Sequence, residues 1–225
     1  MAERRRALAA VLLLPVVALT GCKAVSGARA EYAVKPGVVV PAQVKDNGWP
    51  DPQSGEPGEA DPLGVVIPRA GVNAPVVEID GGAGGKLSAP PLSDANLAGW
   101  DRRGPTPGEP GAAVLVGHLD TRTGPAVFAS LSKLKKGDTV AVVREDGRVV
   151  VFRTTAVQEV GKDAFPVRKV FGTTGGPAIR LVTCGGHYDP ARHSYQDNLI
   201  VYGDYAAWYR LSDFTRTAPA RRPAG

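Results

Sequence analysis

From Pro62 to Tyr205 the chain is a succession of short apolar runs broken by turn residues. LGVVIPRAG (63–71) and NAPVVEID (73–80) predict two strands, and GGAGGK (81–86) reads as a glycine turn. SDANLAGW (93–100) predicts a short helix opened by a Ser93/Asp94 cap. RRGPTPGEPG (102–111) is a loop, and AAVLVGHLD (112–120) is a buried strand ending at Gly117-His118. AVFASLSKL (126–134) has room for one or two helical turns. DTVAVVREDGRVVVFRTTAVQEV (138–160) predicts a hairpin about Asp146-Gly147, a dipeptide suited to a type I′ turn. AIRLVTC (178–184) and NLIVYGDY (198–205) complete the strands. Many short strands with little helix predict an all-β barrel or sandwich over 62–210, without internal repeats.

The flanks have a different texture. MAERRR is a positive leader to ALAAVLLLPVVALTG (7–21), an apolar run of signal-peptide length, short of the ~20 residues that cross a bilayer. Leu19-Thr20-Gly21-Cys22 resembles a bacterial lipobox, in which the cysteine becomes N-terminal and carries a diacylglycerol. Residues 1–22 are therefore expected to be a lipoprotein-type signal peptide, in preference to an uncleaved signal anchor. Residues 23–61, rich in Pro, Gly and acidic groups, predict a flexible spacer, and 211–225 a disordered basic tail.

Composition supports this division. Glycine (28) and proline (20) are abundant and aromatics reach only 6%, as a turn-rich β fold requires. The net charge of +5 is concentrated in the two termini, so the body is nearly neutral and offers no basic face for nucleic acid. Export has a consequence for the two cysteines, because outside the cytoplasm disulfides form in pairs. With Cys22 lipidated, Cys184 has no partner and is a free thiol.

A lone free thiol is either small buried packing or a nucleophile. A nucleophile needs a base or cation beside it, and the chain has three histidines: His118, His187 and His193. His118 ends one buried strand and Cys184 ends another, so a barrel could bring the two together at one rim. On the residues alone, packing and function both remain open. His187, Asp189 and His193 form no clean tetrahedral metal set, and no cofactor is implied. Lys133, Lys135 and Lys136 read as a solvated face.

GHLD (117–120), LVTCGG (181–186) and NLIVYG (198–203), in that order, resemble the sortases, bacterial cysteine transpeptidases. Residues 104–138, KDAFP (162–166) and the pattern CGG…YD…Y…DN are similar to the class F sortases of actinobacteria, and the likeness covers nearly all of 62–205. It implies a closed β-barrel of seven or eight strands with one or two short helices. It also implies that Cys184 attacks the threonine carbonyl of an LPXTG-like sorting signal, forming a thioacyl enzyme, with His118 as acid and base. The acyl group would pass to a cell-wall amine, on a protein anchored at the outer face of the bacterial membrane.

The family places an arginine just before the strand that follows the cysteine. Here Asn198 stands in that position, with Arg192 earlier in the same loop as the alternative third group. Gly185 or Gly186 could lend a backbone N–H, and the absent Cβ would let a peptide approach closely. Thr183 and Asp120 join them as candidates for the substrate groove, Asp120 by orienting His118 or by pairing with Arg122. Tyr195-Gln196-Asp197 reads as a loop held by its own turn hydrogen bonds. An L,D-transpeptidase would show a Ser-His-Gly-Cys type motif, and an NlpC/P60 peptidase a cysteine near the domain start; neither fits. A non-enzymatic barrel lipoprotein with a degraded site is the remaining alternative, motivated by the missing arginine.

Overall fold

Segments that are β-branched on both faces cannot leave either face in water, so they become interior strands of a sheet that closes on itself. Residues 139–144 are buried at every position and 111–117 at all but the first. The computed structural model describes residues 49–80 and 88–215. The strands are β1 (Pro62–Ile67), β2 (Val72–Ile79), β3 (Ala98–Asp101), β4 (Gly111–Gly117), β5 (Asp120–Thr121), β6 (Gly124–Pro125), β7 (Thr139–Arg144), β8 (Arg148–Gly161), β9 (Pro177–Asp189) and β10 (Ser194–Arg210). Two short helices, α1 (Val167–Phe171) and α2 (Leu211–Thr215), accompany them.

Eight strands close a barrel in the order β1-β2-β3-β4-β9-β10-β8-β7, and β5 and β6 form a small separate ribbon. The pairs β2–β3 and β4–β9 are parallel, and the other pairs are antiparallel. This is the all-β fold of the strand-rich pattern, closed as the eight-stranded barrel that the family resemblance implies.

Alternation along each strand sorts the apolar residues into separate layers. Leu115, Ile179, Leu181, Leu199 and Phe152 pack with Phe128 inside the barrel. Val114, Val116, Val182, Ile200 and Tyr202 form an outer layer under Val170 of α1 and Phe165. Arg180 holds α1 there, its Nε donating to the Lys169 carbonyl at 3.3 Å and its guanidinium lying 5.0 Å from the Tyr202 ring centre. A third layer joins Ala141, Val143, Val149 and Val151 to Tyr209, Trp49 and Phe214.

Three expectations change. Residues 93–97 run as turns and Ala98–Asp101 is a strand, not the end of a capped helix. Leu97, Ala98 and Trp100 are buried, and pairing with β2 and β4 on both sides outweighs local helix propensity. Residues 126–134 hold one 3-10 turn at Leu131–Lys133, within the one or two helical turns expected there. The hairpin loop is not type I′, since among described non-glycine residues only His193 has a positive φ. Instead the Gly147 N–H donates to the Arg144 carbonyl at 3.2 Å and Gly147 takes φ +74, a type I turn followed by a left-handed residue.

The flanks supply the third. Residues 49–61, part of the expected flexible spacer, lie against the barrel, and 211–215, part of the expected disordered tail, form α2. The physical reason is Arg144, which is fully buried. Its guanidinium donates to the carbonyls of Pro57 (2.8 Å), Gly58 (2.6 Å) and Pro107 (2.9 Å) and to Asp146 at 2.5 Å. Burial pushes the Asp146 carboxyl up, but the hydrogen bond and charge of Arg144, with Arg148 beside it, hold it below the usual carboxylate value. Trp208 adds a hydrogen bond from Nε1 to the Gly55 carbonyl at 3.0 Å, and Trp49 packs 5.0 Å from Tyr209 and 5.3 Å from Phe214. The signal segment with Cys22, the spacer up to residue 48, the glycine turn 81–86 and the tail from 216 lie outside the described residues.

Arg144→Met keeps the aliphatic stem, strands the buried Pro107 carbonyl, and removes the donors to Gly58 and Asp146, while the Pro57 carbonyl keeps Arg148. Urea unfolding is expected to register a loss of about 3 kcal/mol; unchanged stability would mean that the carbonyls find other donors.

Candidate active site

The pairing of β4 with β9 builds the site. Their parallel register runs from Gly111↔Pro177 to Val116↔Val182. Continued by two residues, it brings His118 level with Cys184 on neighbouring strands, which run about 4.8 Å apart. Val116 and Val182 share the outer layer, and side chains alternate, so His118 and Cys184 prolong that face at the barrel rim. Cys184 is a free, half-buried thiol. On its other side β10 pairs antiparallel, and Asn198 is the residue directly opposite Cys184.

The histidine is fixed by its surroundings. A Cβ on Gly117 would lie 2.6 Å from both Phe128 Cδ2 and Val127 Cγ1, so only glycine lets the strand end pack there and deliver His118 at the next position. The Phe128 N–H donates to the His118 carbonyl at 3.0 Å. On the ring, Nε2 donates to the Pro90 carbonyl at 2.6 Å. A carbonyl only accepts, so Nε2 keeps its proton in both charge states and the exchangeable proton rides on Nδ1. Pro90 has no signature in the sequence beyond the rigid Pro90-Pro91 pair that holds the segment extended.

The glycines after Cys184 serve the chain's own packing. Gly186 has φ +73, and a Cβ there would run into the Asp197 carboxylate. At Gly185 a Cβ would come within 3.2 Å of the Leu199 backbone nitrogen. The space they leave is thus taken by β10. Thr183, between Leu181 and the site, is buried with no partner for its hydroxyl among the described residues.

Arg192 lies elsewhere. It sits in the turn between β9 and β10, paired with Asp189 at 3.6 Å. It lines an open depression of 460 Å³ with Lys162, Asp163 and Asp197, and Cys184 is not part of that depression. A larger depression of 690 Å³, lined by Asp146, Arg148, Trp208 and Arg210, is at the far end of β10 and has no connection with the cysteine.

Asp120 accepts a hydrogen bond from the Tyr195 hydroxyl, a partner 75 residues away, and pairs with neither His118 nor Arg122. The Tyr195 ring packs edge-on against Tyr188 at 5.2 Å. That hydrogen bond, then burial, then the charges on Asp120, Cys184 and Tyr188 push the phenol up to about 12. Tyr195 is therefore a cross-groove contact, where the sequence suggests only a loop held by turn bonds; pairing over this separation leaves no local signal.

Two measurements follow from this geometry. The neutral phenol is the donor, so its contribution to stability is complete below the ordinary phenol value of about 10 and is lost as pH rises through about 12. Ultraviolet difference titration of the protein against Tyr195→Phe should reveal a phenol ionising near 12; one ionising near 10 would deny the bond to Asp120. Gly117→Ala should cost about 1–3 kcal/mol in thermal unfolding by forcing Phe128 to move, with a larger proportional loss in Cys184 reactivity than in stability.

Comparison with known proteins agrees with the geometry. The sortase domain family matches residues 65–206. Among solved structures, a sortase A of Listeria monocytogenes superposes with TM-score 0.52 at 18% identity, covering 67% of this chain and 90% of that one. The SrtA sortase of Actinomyces oris gives 0.51 at 21%, covering 77% and 92%. Sortase C of Streptococcus pneumoniae gives 0.50 at 22%, covering 67% and 68%. No match is found among curated protein sequences. With its barrel, its paired strand ends and a family match spanning most of the described residues, the chain belongs to the sortase family of bacterial cell-surface cysteine transpeptidases.

Proposed function

We propose that the protein is a surface-anchored transpeptidase of the class F type, which cleaves an LPXTG-like sorting signal and transfers it to a cell-wall amine. The observation that carries this reading is the parallel β4–β9 register, which puts the ends Gly117-His118 and Thr183-Cys184 at one rim. The similarity of GHLD, TCGG and the YQDN segment supports the class. The lipobox around Cys22 supports a diacylglycerol anchor outside the cell. Its partners are then secreted proteins with a C-terminal sorting signal and a peptidoglycan-precursor amine.

The chemistry runs through two half-reactions. The Cys184 thiolate attacks the threonine carbonyl, and the carbonyl electrons move onto oxygen. The Asn198 amide, opposite the cysteine, donates a hydrogen bond to that oxyanion. As the C–N bond breaks, the departing glycine amine takes the proton from His118 Nδ1, leaving a thioacyl enzyme. An incoming amine then attacks the thioester carbonyl and gives its proton back to Nδ1, and the C–S bond breaks to return the thiolate. Water in place of the amine gives hydrolysis. Asn198 lacks the charge of the family's arginine, which is the one feature favouring a non-enzymatic peptide-binding barrel.

The test is incubation with an LPXTG-type peptide and an amine, read by mass spectrometry. A hydroxylamine-sensitive acyl adduct on Cys184, absent in Cys184→Ala, is expected; no adduct on a folded protein leaves the binding-barrel reading. Asn198→Ala should lower kcat about 100-fold, and Arg192→Ala, an exposed residue paired at the turn, by less than about threefold. The reverse order would move the third role to Arg192. Mass spectrometry of the mature N-terminus distinguishes lipidated Cys22 from an uncleaved anchor.

A further inference from the structure

The ladder that joins β4 to β9 stops at Val116↔Val182, so no backbone pairing fixes the separation of His118 and Cys184 two residues beyond it. Past that point the two chains belong to separate projections. The histidine side turns into the β5–β6 ribbon, held from behind by Asp120↔Pro125 pairing and by Ala126 N–H to the Leu119 carbonyl at 3.0 Å. The cysteine side continues as the β9–β10 hairpin, with Tyr188 opposite Tyr195 and Asp189 opposite Ser194. The β9–β10 register shifts between Tyr195 and Asp197, which loosens the hairpin from the regular ladder below it. Among the described residues, the hydrogen bond that crosses from one projection to the other is Tyr195 hydroxyl to Asp120.

His118 is anchored on its own side by Gly117, Phe128 and Pro90; the polar contact between the two projections sets how closely the β9–β10 hairpin stands to it. Asp120 lies two residues after His118, and Tyr195 three before Asn198, the residue opposite Cys184. The edge-on packing of Tyr188 leaves the Tyr195 ring less freedom to swing away. We infer that Tyr195 and Asp120 are positioning residues for the acyl transfer: their bond closes the groove beyond the catalytic pair and holds His118 at the distance from Cys184 that proton transfer requires. This rests on reading Cys184 as the nucleophile and His118 as the acid and base. Misplacement of a proton donor by about 1 Å is enough to cost up to 100-fold in rate.

The experiment compares the protein with Tyr195→Phe, Asp120→Ala, Asp120→Asn and the Tyr195→Phe/Asp120→Ala pair, in steady-state cleavage of an LPXTG-type peptide and in thermal melting. Tyr195→Phe and Asp120→Ala should each lower kcat about tenfold or more with KM for the peptide nearly unchanged. The double variant should be no slower than either single one, because one bond is lost in all three. Asp120→Asn, whose side-chain oxygen still accepts from the phenol, should recover most of the loss. Wild-type kcat in both single variants, multiplicative losses in the pair, or an Asn variant as slow as the Ala variant would each overturn the inference. A change in melting temperature alone, with kcat intact, would reduce the bond to a structural one and overturn it equally. Cys184→Ala runs alongside: full activity there defeats the nucleophile reading itself, a failure separate from that of the positioning pair.

Discussion

The parallel pairing of β4 with β9 is the constraint on which the site depends. Parallel strands require a crossover, and here the chain between them supplies the β5–β6 ribbon, the β7–β8 hairpin and α1 before returning. Such a ladder is stable only when both faces are covered. Leu115 and Leu181 meet the interior, while Val114, Val116 and Val182 lie under α1 and Phe165. Because the two strands run the same way, their C-terminal ends emerge at the same rim. An antiparallel neighbour would carry its end to the opposite side of the barrel. The meeting of His118 and Cys184 at one rim is thus a consequence of strand direction: β4 ends at Gly117, while β9, expected to end at Cys184, runs on through it to Asp189 in the hairpin with β10.

Close packing then decides which residues stand beside His118 and Cys184. Gly117 yields its side-chain volume to Phe128, Gly185 to the β10 backbone and Gly186 to Asp197. The glycines of the TCGG segment therefore read less as an open floor for a peptide than as the fit between β9 and β10. That fit keeps Asn198 opposite Cys184. The same logic holds at the far side of the barrel, where Arg144 takes the place of a hydrophobic plug. A buried guanidinium is costly unless its donors are used, and the carbonyls of Pro57, Gly58 and Pro107 use them.

What was legible in the sequence follows the range of the interactions. The valine-rich runs at 140–143 and 149–151 declare strands through local propensity and burial; the strand pattern leaves barrel and sandwich both open, and the family resemblance points to the closed barrel. Gly117-His118 and Thr183-Cys184 stood out because each ends an apolar run. Contacts between distant residues left no such trace. Ala98–Asp101 became a strand because β2 and β4 flank it, and residues 49–61 were ordered by an arginine far along the chain. The type I′ expectation failed for a more local reason: Asp146 binds Arg144 and the Arg148 N–H, which favours a longer loop over the tight one. Tyr195 and Pro90 belong to the same class of long-range partner, met only once the strands are in place.

In the proposed mechanism, an uncharged Asn198 in the arginine's position changes how the remaining groups must work. An arginine beside the thiol would stabilise both the thiolate and the oxyanion at a distance, tolerating some looseness in the other groups. An asparagine amide acts only through a hydrogen bond, whose strength falls steeply with distance and angle. In the proposed mechanism the spacing of Cys184 and His118 then carries a larger share of the work. Asp120 adds a carboxylate two residues from that histidine, and a free carboxylate there would oppose thiolate formation. Donation from the Tyr195 hydroxyl takes up part of its charge while tying it across the groove. In the proposed mechanism geometry and charge thus lead to the same requirement: with Asn198 in the arginine's position, a rigid rim stands in for a long-range field.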